Sequence, residues 1–586
     1  MTREKKILGS QALAELLSRL QDGTFRDIVA DWKWIFSFSR QFRSRIVIYT
    51  LLGIVSNLLA LAGSVTGKYL MDAILSLDAR RLVWMIAATI LLAALSLTLR
   101  SVSSRFSTRI GVDVNNHIQS VVLDSMYRSR WEELNRFASG DLIHRFGGDV
   151  STITSSAVSW LPDAVIAVIT LIAAFCIILY YDPMMALITF ITVPFLLLSS
   201  KSLIRRQRAH NRRVKAVTSR FTAFQVEAFR GLDITKSFGV EDRYMDLLHR
   251  HQDEYRSAVL DYNRFSIRTN IWLSVLSTIV QYLAFGYCLL RLWQGRMLFS
   301  TMLLFLQQRG HLQGALSSVV SLIPSALSGS VSAGRVRELT ELEKEPAVGT
   351  PPKNADRCSV LLENVSFSYL PGSPILENSG FIASPGETIA LVGPSGEGKT
   401  TTLRLILGLV SPEKGKAVMV DGAGSETPLG PDTRPLLAYV PQGHSLMSGT
   451  IADNLRLVRP DATEEDLWEA LRLAAADGFV SRLPGQTEYL LSEDSRGRSE
   501  GQAQRIAIAR ALLRKAPVLL LDEATSAIDI TTERTILRNL AQAGKTCILT
   551  THRPTALSLC TRVYRITDRQ IRQLTPEQIE AYAADF

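Results

Sequence analysis

Cysteine is scarce in this chain. Cys176, Cys288, Cys358, Cys547 and Cys560 are the only five in 586 residues, and no pair has metal-ligand spacing. A disulfide scaffold is thereby excluded, and the thiols, two of them inside apolar runs, read as packed side chains in a reducing or lipid setting. Residues 1–45 hold nine Lys/Arg but no short apolar core followed by a small-residue cleavage site, so no secretory signal is expected. With 47% hydrophobic residues, 36 Gly and 21 Pro, disorder and collagen are excluded as well. One core is not enough for this length, since single cores stop growing near ~250–300 residues.

What the sequence does have is long apolar runs, nearly all before residue 325. A bilayer span needs ~20 mostly apolar residues. Six candidates fit: 46–70, 82–99, 157–181, 184–204, 271–293 and 297–322. No charge interrupts 82–99, and only Asp163 lies in the third run. The Tyr181-Asp182-Pro183 link leaves room for nothing but a tight hairpin outside the lipid. Trp32, Trp34, Ile35, Phe36, Phe38 and Phe42 alternate with Lys33, Arg40 and Arg43, which suits a helix lying in the interface before the first span. Loop charge sets orientation: seven Arg lie in 100–150 and fifteen Lys/Arg in 201–268, against few in the short opposite loops. Basic residues concentrate in the cytoplasm, so both termini and both long loops are expected inside. The net charge of +10 is read as this asymmetry rather than as a nucleic-acid footprint.

The sixth run carries Gln307, Gln308, Arg309, His311 and Gln313 near its middle. A charge at mid-bilayer costs about 2.5–3.5 kcal/mol on insertion scales, so these groups should face protein or a watery cavity. They either line a substrate path or form a structural hydrogen-bond cluster between spans; the path is the favoured reading.

The C-terminal part reads as a soluble α/β domain. The strand Thr388–Val392 runs into Gly393-Pro394-Ser395-Gly396-Glu397-Gly398-Lys399-Thr400, followed by a helical 401–409 that opens with Thr401. This is a phosphate-binding loop in its strand–loop–helix context. Glycines let the backbone wrap phosphates, amides point inward at a helix N-terminus, Lys399 reaches the β/γ-phosphates and Thr400 ligates Mg²⁺. Further on, Val518-Leu-Leu-Leu-Asp522-Glu523 is a buried strand ending in two carboxylates. Asp522 suits a Mg²⁺ contact, and Glu523 is placed to polarise an attacking water.

Together these residues resemble an ATP-binding cassette (ABC) exporter half-transporter, six spans fused to one cassette, over nearly the whole chain beyond residue 25. The resemblance implies a helical six-span membrane domain plus an α/β P-loop nucleotide-binding domain, with ATP and Mg²⁺ as cofactors. Tyr369 matches the aromatic that stacks on adenine, and Gln442 the glutamine that couples Mg²⁺ to the membrane domain. Ser499, Gly501 and Gln502 match the signature, Asp529 the loop crossing the dimer interface, and His552 the switch histidine at the γ-phosphate. Glu523 and His552 are then the catalytic pair. The segments Gly140-Asp141-Leu-Ile-His-Arg145 and Glu227–Gly231 through Phe238–Glu241 resemble cytoplasmic coupling segments. The expected domains are an arm and interfacial helix (1–42), the membrane domain (43–325), a linker (326–358) and the cassette (359–586).

The chain departs from the family at Arg498-Ser499-Glu500-Gly501-Gln502, where the family reads Leu-Ser-Gly-Gly-Gln, and at Glu397, where a small residue is usual. Glu397 of one subunit and Arg498 of another could pair across a head-to-tail sandwich. The expected activity is ATP-driven export or flipping of a drug-like, lipid or peptide substrate in the bacterial inner membrane. A second half-transporter is the expected partner, and a homodimer is favoured over a heterodimer. Uptake by the same architecture and a membrane-tethered ATPase without cargo are the alternatives.

Overall fold

The computed structural model describes residues 24–137, 139–187, 231–346, 357–443, 446–491 and 500–584, with most positions between 210 and 229. Two compact units divide the chain. One takes residues up to Asp124 with Ser139–Thr340; the other takes Ser125–Ala138 with Glu341–Phe586.

Among the described residues the first unit holds helices and no strand; its long helices are α1 (Thr24–Ser39), α2 (Arg43–Leu75), α3 (Ala79–Tyr127, its last residues in the other unit), α4 (Leu161–Tyr181), α5 (Glu241–Trp293) and α6 (Phe299–Thr340). Among the described residues, three helical stretches are long and apolar enough to cross a bilayer, Ala30–Leu75, Ala79–Tyr127 and Ser139–Tyr181. The run 184–204 lies almost wholly outside the described residues. The runs 271–293 and 297–322 form the C-terminal part of α5 and the N-terminal part of α6, helices diluted by polar residues. The segment expected to lie in the interface is helical, as α1, but one stripe of it, Asp31, Ile35 and Ser39, is buried in protein, and Trp32 packs on Trp160 at 4.6 Å.

Residues 326–340 are not linker: α6 runs unbroken to Thr340. Their charges mislead because they are paired rather than solvated. Arg337 and Ser330 both reach Asp31, at 2.8 and 2.7 Å. Arg335 pairs with Asp141 and Asp149, and Ser332 donates to Asp149. Buried Arg145 donates to Asp141, to the Arg335 carbonyl and to Glu338 at 2.8, 2.7 and 2.6 Å. Gly140–Arg145, expected to be a coupling segment, thus spends its charges inside the helical unit. The residues that group with the C-terminal unit instead are 125–138.

Among the described residues that second unit has twelve strands. An antiparallel sheet orders β2-β1-β4-β5, with β1 (Ser359–Leu370), β2 (Ser373–Ala383), β4 (Lys414–Val420) and β5 (Glu426–Pro428). A six-stranded sheet orders β12-β11-β3-β10-β9-β6, from β3 (Thr388–Val392), β6 (Leu437–Val440), β9 (Val518–Asp522), β10 (Thr546–Thr550), β11 (Arg562–Thr567) and β12 (Gln570–Gln573). The short β7 (Gly449–Thr450) and β8 (Leu490–Leu491) pair with each other. Every residue of β3, β9 and β10 is buried. Continuous apolar runs such as Val518-Leu-Leu-Leu form central parallel strands because both faces are covered. Three helices matter below: α7 (Lys399–Ile406), α8 (Glu500–Leu513) and α9 (Ile530–Gln542).

Candidate nucleotide site

Parallel sheets place ligands beyond the carboxyl ends of their strands. Here β10 lies between β3 and β9, with Thr550 opposite both Leu391 and Asp522. The ends of three strands therefore deliver the Gly393 loop, Asp522-Glu523 and Thr551-His552 to one place.

The loop after β3 needs its glycines. Gly393 has φ 146°, and a Cβ there would sit 2.3 Å from the Ile566 carbonyl oxygen; Gly398, at φ 107°, precedes α7 as its N-cap. Pro394, Ser395 and Gly396 form the exposed crest. Lys399 is buried, and its Nζ donates to the carbonyls of Gly393 (2.7 Å) and Pro394 (3.0 Å) and lies 3.0 Å from His552 Nε2. Burial pulls its ammonium pKa down, while Glu523, Asp522 and Glu397 pull it back up. The net direction is downward.

Asp522 accepts from Thr550 Oγ1 (2.9 Å), Thr400 Oγ1 (3.3 Å) and Tyr439 OH (3.4 Å). Its negative charge and its own burial push the Tyr439 phenol well above the usual range, burial being the larger cause. Thr400 and Asp522 thus offer adjacent hard-oxygen donors, which fits Mg²⁺ held by few protein ligands plus phosphate and water. Glu523 stands just past the strand. Its amide donates to Thr550 Oγ1 (2.8 Å), its Oε2 accepts from Gln442 Nε2 (2.8 Å), and its Oε1 lies 3.3 Å from His552 Nε2. It holds φ 48°, a left-handed conformation unusual for a residue with a side chain. Gln442, expected to reach the metal, rests on the Glu523 carboxylate.

Other expected residues are elsewhere or do other work. Tyr369 leaves its ring exposed while its hydroxyl is held by Arg404 NH1 (2.9 Å) and Thr401 Oγ1 (3.4 Å). Asp529 caps α9, accepting from Thr532 N (3.0 Å) and Thr531 Oγ1 (2.5 Å), contacts that hold its carboxyl below the ordinary range. Arg498 and Ser499 lie outside the described residues. Glu500 is exposed at the start of α8. Gly501 touches the loop before α9 so closely that a Cβ would meet the Ala527 oxygen at 2.5 Å. Gln502, next on α8, is half-buried.

Residues missed from sequence hold this loop. Buried Gln504 donates to Ser526 Oγ (3.1 Å) and accepts from Ala527 N (3.1 Å). Arg553 donates to the carbonyls of Ser526 and Ile528. Both sit beside recognised motifs, at the signature helix and after His552, which was the available signal. Trp131, in the 125–138 segment, packs its ring under Arg404 at 4.8 Å, and so touches the side chain that holds Tyr369.

In the helical unit the five polar residues of the sixth run do not converge. Gln308 is fully buried, and its amide donates to Ser64 Oγ on α2 at 2.7 Å. This is the structural alternative for that residue. Gln307 and Gln313 are exposed, Arg309 and His311 half-buried.

Comparison with known proteins bears on the whole chain. The family model for the ABC transporter transmembrane region matches residues 46–316, and that for the ABC transporter cassette matches 376–526. An ATP-dependent lipid A-core flippase of Alcanivorax borkumensis is 27% identical, covering 93% of this chain and 94% of its own. A fatty acid ABC transporter ATP-binding/permease protein of Mycobacterium tuberculosis is 29% identical over 74% of this chain and 69% of its own. A bacterial Atm1-family ABC exporter, solved with ATP bound, shares the fold: TM-score 0.76, 22% identity, 94% of this chain and 97% of that one. The chain therefore belongs to the ABC transporters, with transmembrane region and ATP-binding cassette fused in a single polypeptide.

Proposed function

We propose that this protein is an ATP-driven exporter or flippase that works as a dimer of half-transporters in the bacterial inner membrane. The observation that carries the reading is the convergence of Lys399, Thr400, Asp522, Glu523 and His552 at the ends of three adjacent strands, in a chain that also has a transmembrane region.

In this reading the loop amides and Lys399 bind the β- and γ-phosphates of ATP, and the Tyr369 ring stacks on adenine. Thr400, Asp522 and Gln442 hold Mg²⁺, which supplies charge neutralisation on the phosphates. Glu523 accepts a proton from the attacking water. His552, already within reach of both Lys399 and Glu523, fixes the carboxylate and contacts the γ-phosphate. Ser499, Gly501 and Gln502 of a second copy complete the pocket, and Asp529, besides capping α9, lies at the joint. The exposed apolar residues Phe229, Ile234 and Phe238, at 79%, 61% and 76% exposure, support docking of that cytoplasmic tip on another subunit. Closure of the cassettes around ATP and the switch of the membrane cavity to the opposite side are reciprocal by linkage. Arg309 and His311 remain candidates for the cargo path. The basic loops support cytoplasmic termini.

The test is Glu523→Gln in proteoliposomes. Retained ATP binding, a stable dimer with ATP and loss of steady-state hydrolysis and transport are expected. Wild-type turnover, or a single subunit that stays monomeric with ATP, would overturn the reading. Inverted vesicles decide direction.

A further inference from the structure

Between α2, α3 and α4, wholly inside the helical unit, lies a cavity of about 460 Å³. That volume is in the range of small-molecule sites. Its walls are unusually polar for a helix bundle in lipid: Tyr49, Asn57, Ser103 and Ser107 line it, together with Arg100 and Asp163. Arg100 is the first charge after the apolar run 82–99, so the cavity lies where hydrocarbon gives way to the head-group layer.

The two charges do not neutralise each other. Among the described residues Arg100 has no ion-pair partner, and Asp163 accepts only from Tyr49 OH, at 3.4 Å. This contrasts with the other end of α4's helical stretch, where Arg145, Asp141 and Asp149 are all paired. Both side chains are exposed at this boundary, and so open to a ligand of opposite charge. An anion would satisfy Arg100 and be repelled by Asp163; a cation would do the reverse. Only a ligand carrying both signs on a short linker satisfies both walls, with the hydroxyls of Ser103 and Ser107 available to the same group.

We propose that this cavity binds a zwitterionic group, an ammonium and an anion on one short linker, with the anion on Arg100 and the ammonium on Asp163. As cargo recognition, this rests on the transport reading above; as binding, it does not, because it is measured without nucleotide.

The experiment uses the full chain in detergent, titrated with dihexanoyl-phosphatidylethanolamine, with dihexanoyl-phosphatidylglycerol and with chain-free glycerophosphoethanolamine, bound species being counted by native mass spectrometry. The wild type should prefer the zwitterionic to the anionic lipid by about tenfold, the scale of one charge-assisted contact. Asp163→Asn should erase that preference, weakening the zwitterionic lipid while the anionic lipid, freed of the repulsion, binds at least as tightly. Arg100→Gln should weaken both lipids about tenfold. Equal binding of the chain-free compound assigns the group to a free solute, and binding of the lipid alone assigns it to a membrane lipid; either upholds the class. Preference retained in Asp163→Asn, or affinity unchanged in Arg100→Gln, overturns it. If a charge variant does not fold, Ser103→Leu fills the cavity and keeps both charges: it must weaken both lipids, and unchanged binding overturns the proposal equally.

Discussion

The two units treat charge in opposite ways. In the cassette the chemically important groups, Lys399, Asp522, Glu523 and His552, meet at the ends of buried parallel strands, and their partners are mostly backbone carbonyls, hydroxyls and an amide rather than opposite charges. In the helical unit most charges at helix junctions are used up in mutual pairing, as with Asp31, Asp141, Arg145, Asp149, Arg335 and Arg337. The same residue types are functional candidates in one unit and mortar in the other. What separates the cases is the kind of partner, neutral in one unit and oppositely charged in the other, which a sequence does not print.

Mutations can break that contrast. The largest effect should come from Glu523→Gln, with phosphate release falling at least about 100-fold while nucleotide binding persists. Lys399→Ala should follow, lowering ATP affinity about 10- to 100-fold in a nucleotide-binding titration, through loss of charge-assisted phosphate contacts. On the mortar side, Arg145→Leu leaves Asp141 with Arg335 alone, frees the half-exposed Glu338 and removes a bond to the Arg335 carbonyl; it should cost about 1–3 kcal/mol of stability, read as a lowered melting midpoint, without altering nucleotide affinity. Gln504→Leu removes two contacts to the loop before α9 and should cost about 1–3 kcal/mol; its signature would be lower hydrolysis with unchanged ATP binding. The smallest effect belongs to Gln308→Leu, about 0.6–1.7 kcal/mol for an interhelical bond in a bilayer. If that variant instead abolished transport at normal stability, Gln308 would return to the cargo path.

These contrasts also explain what the sequence made legible. The phosphate loop and the Asp522-Glu523 strand were readable because strand ends and turns tie chemistry to short contiguous segments, and Gly393 and Gly398 admit almost no substitute. Gln504 and Arg553 were not, because their partners, one hydroxyl and three backbone groups, lie 22 to 27 residues away. Of the six expected spans, the first three were legible from apolar length among the described residues. Their polar residues were not, since 3.6-residue periodicity groups residues on a face without saying what that face meets: Gln308 meets Ser64, and Arg335 meets Asp141. The charged run after 325 was read as a solvated linker for the same reason. Whether the thiols are packed was legible in part, with Cys288, Cys358 and Cys547 buried and Cys176 exposed on α4.

The left-handed backbone at Glu523 carries one more implication. A side chain in that region is tolerated at a cost of about 1 kcal/mol or more, whereas glycine occupies it freely. Replacement of Glu523 by Gly should therefore give a protein that melts higher than the natural one and hydrolyses nothing. At this position, durability and turnover pull the choice of amino acid in opposite directions.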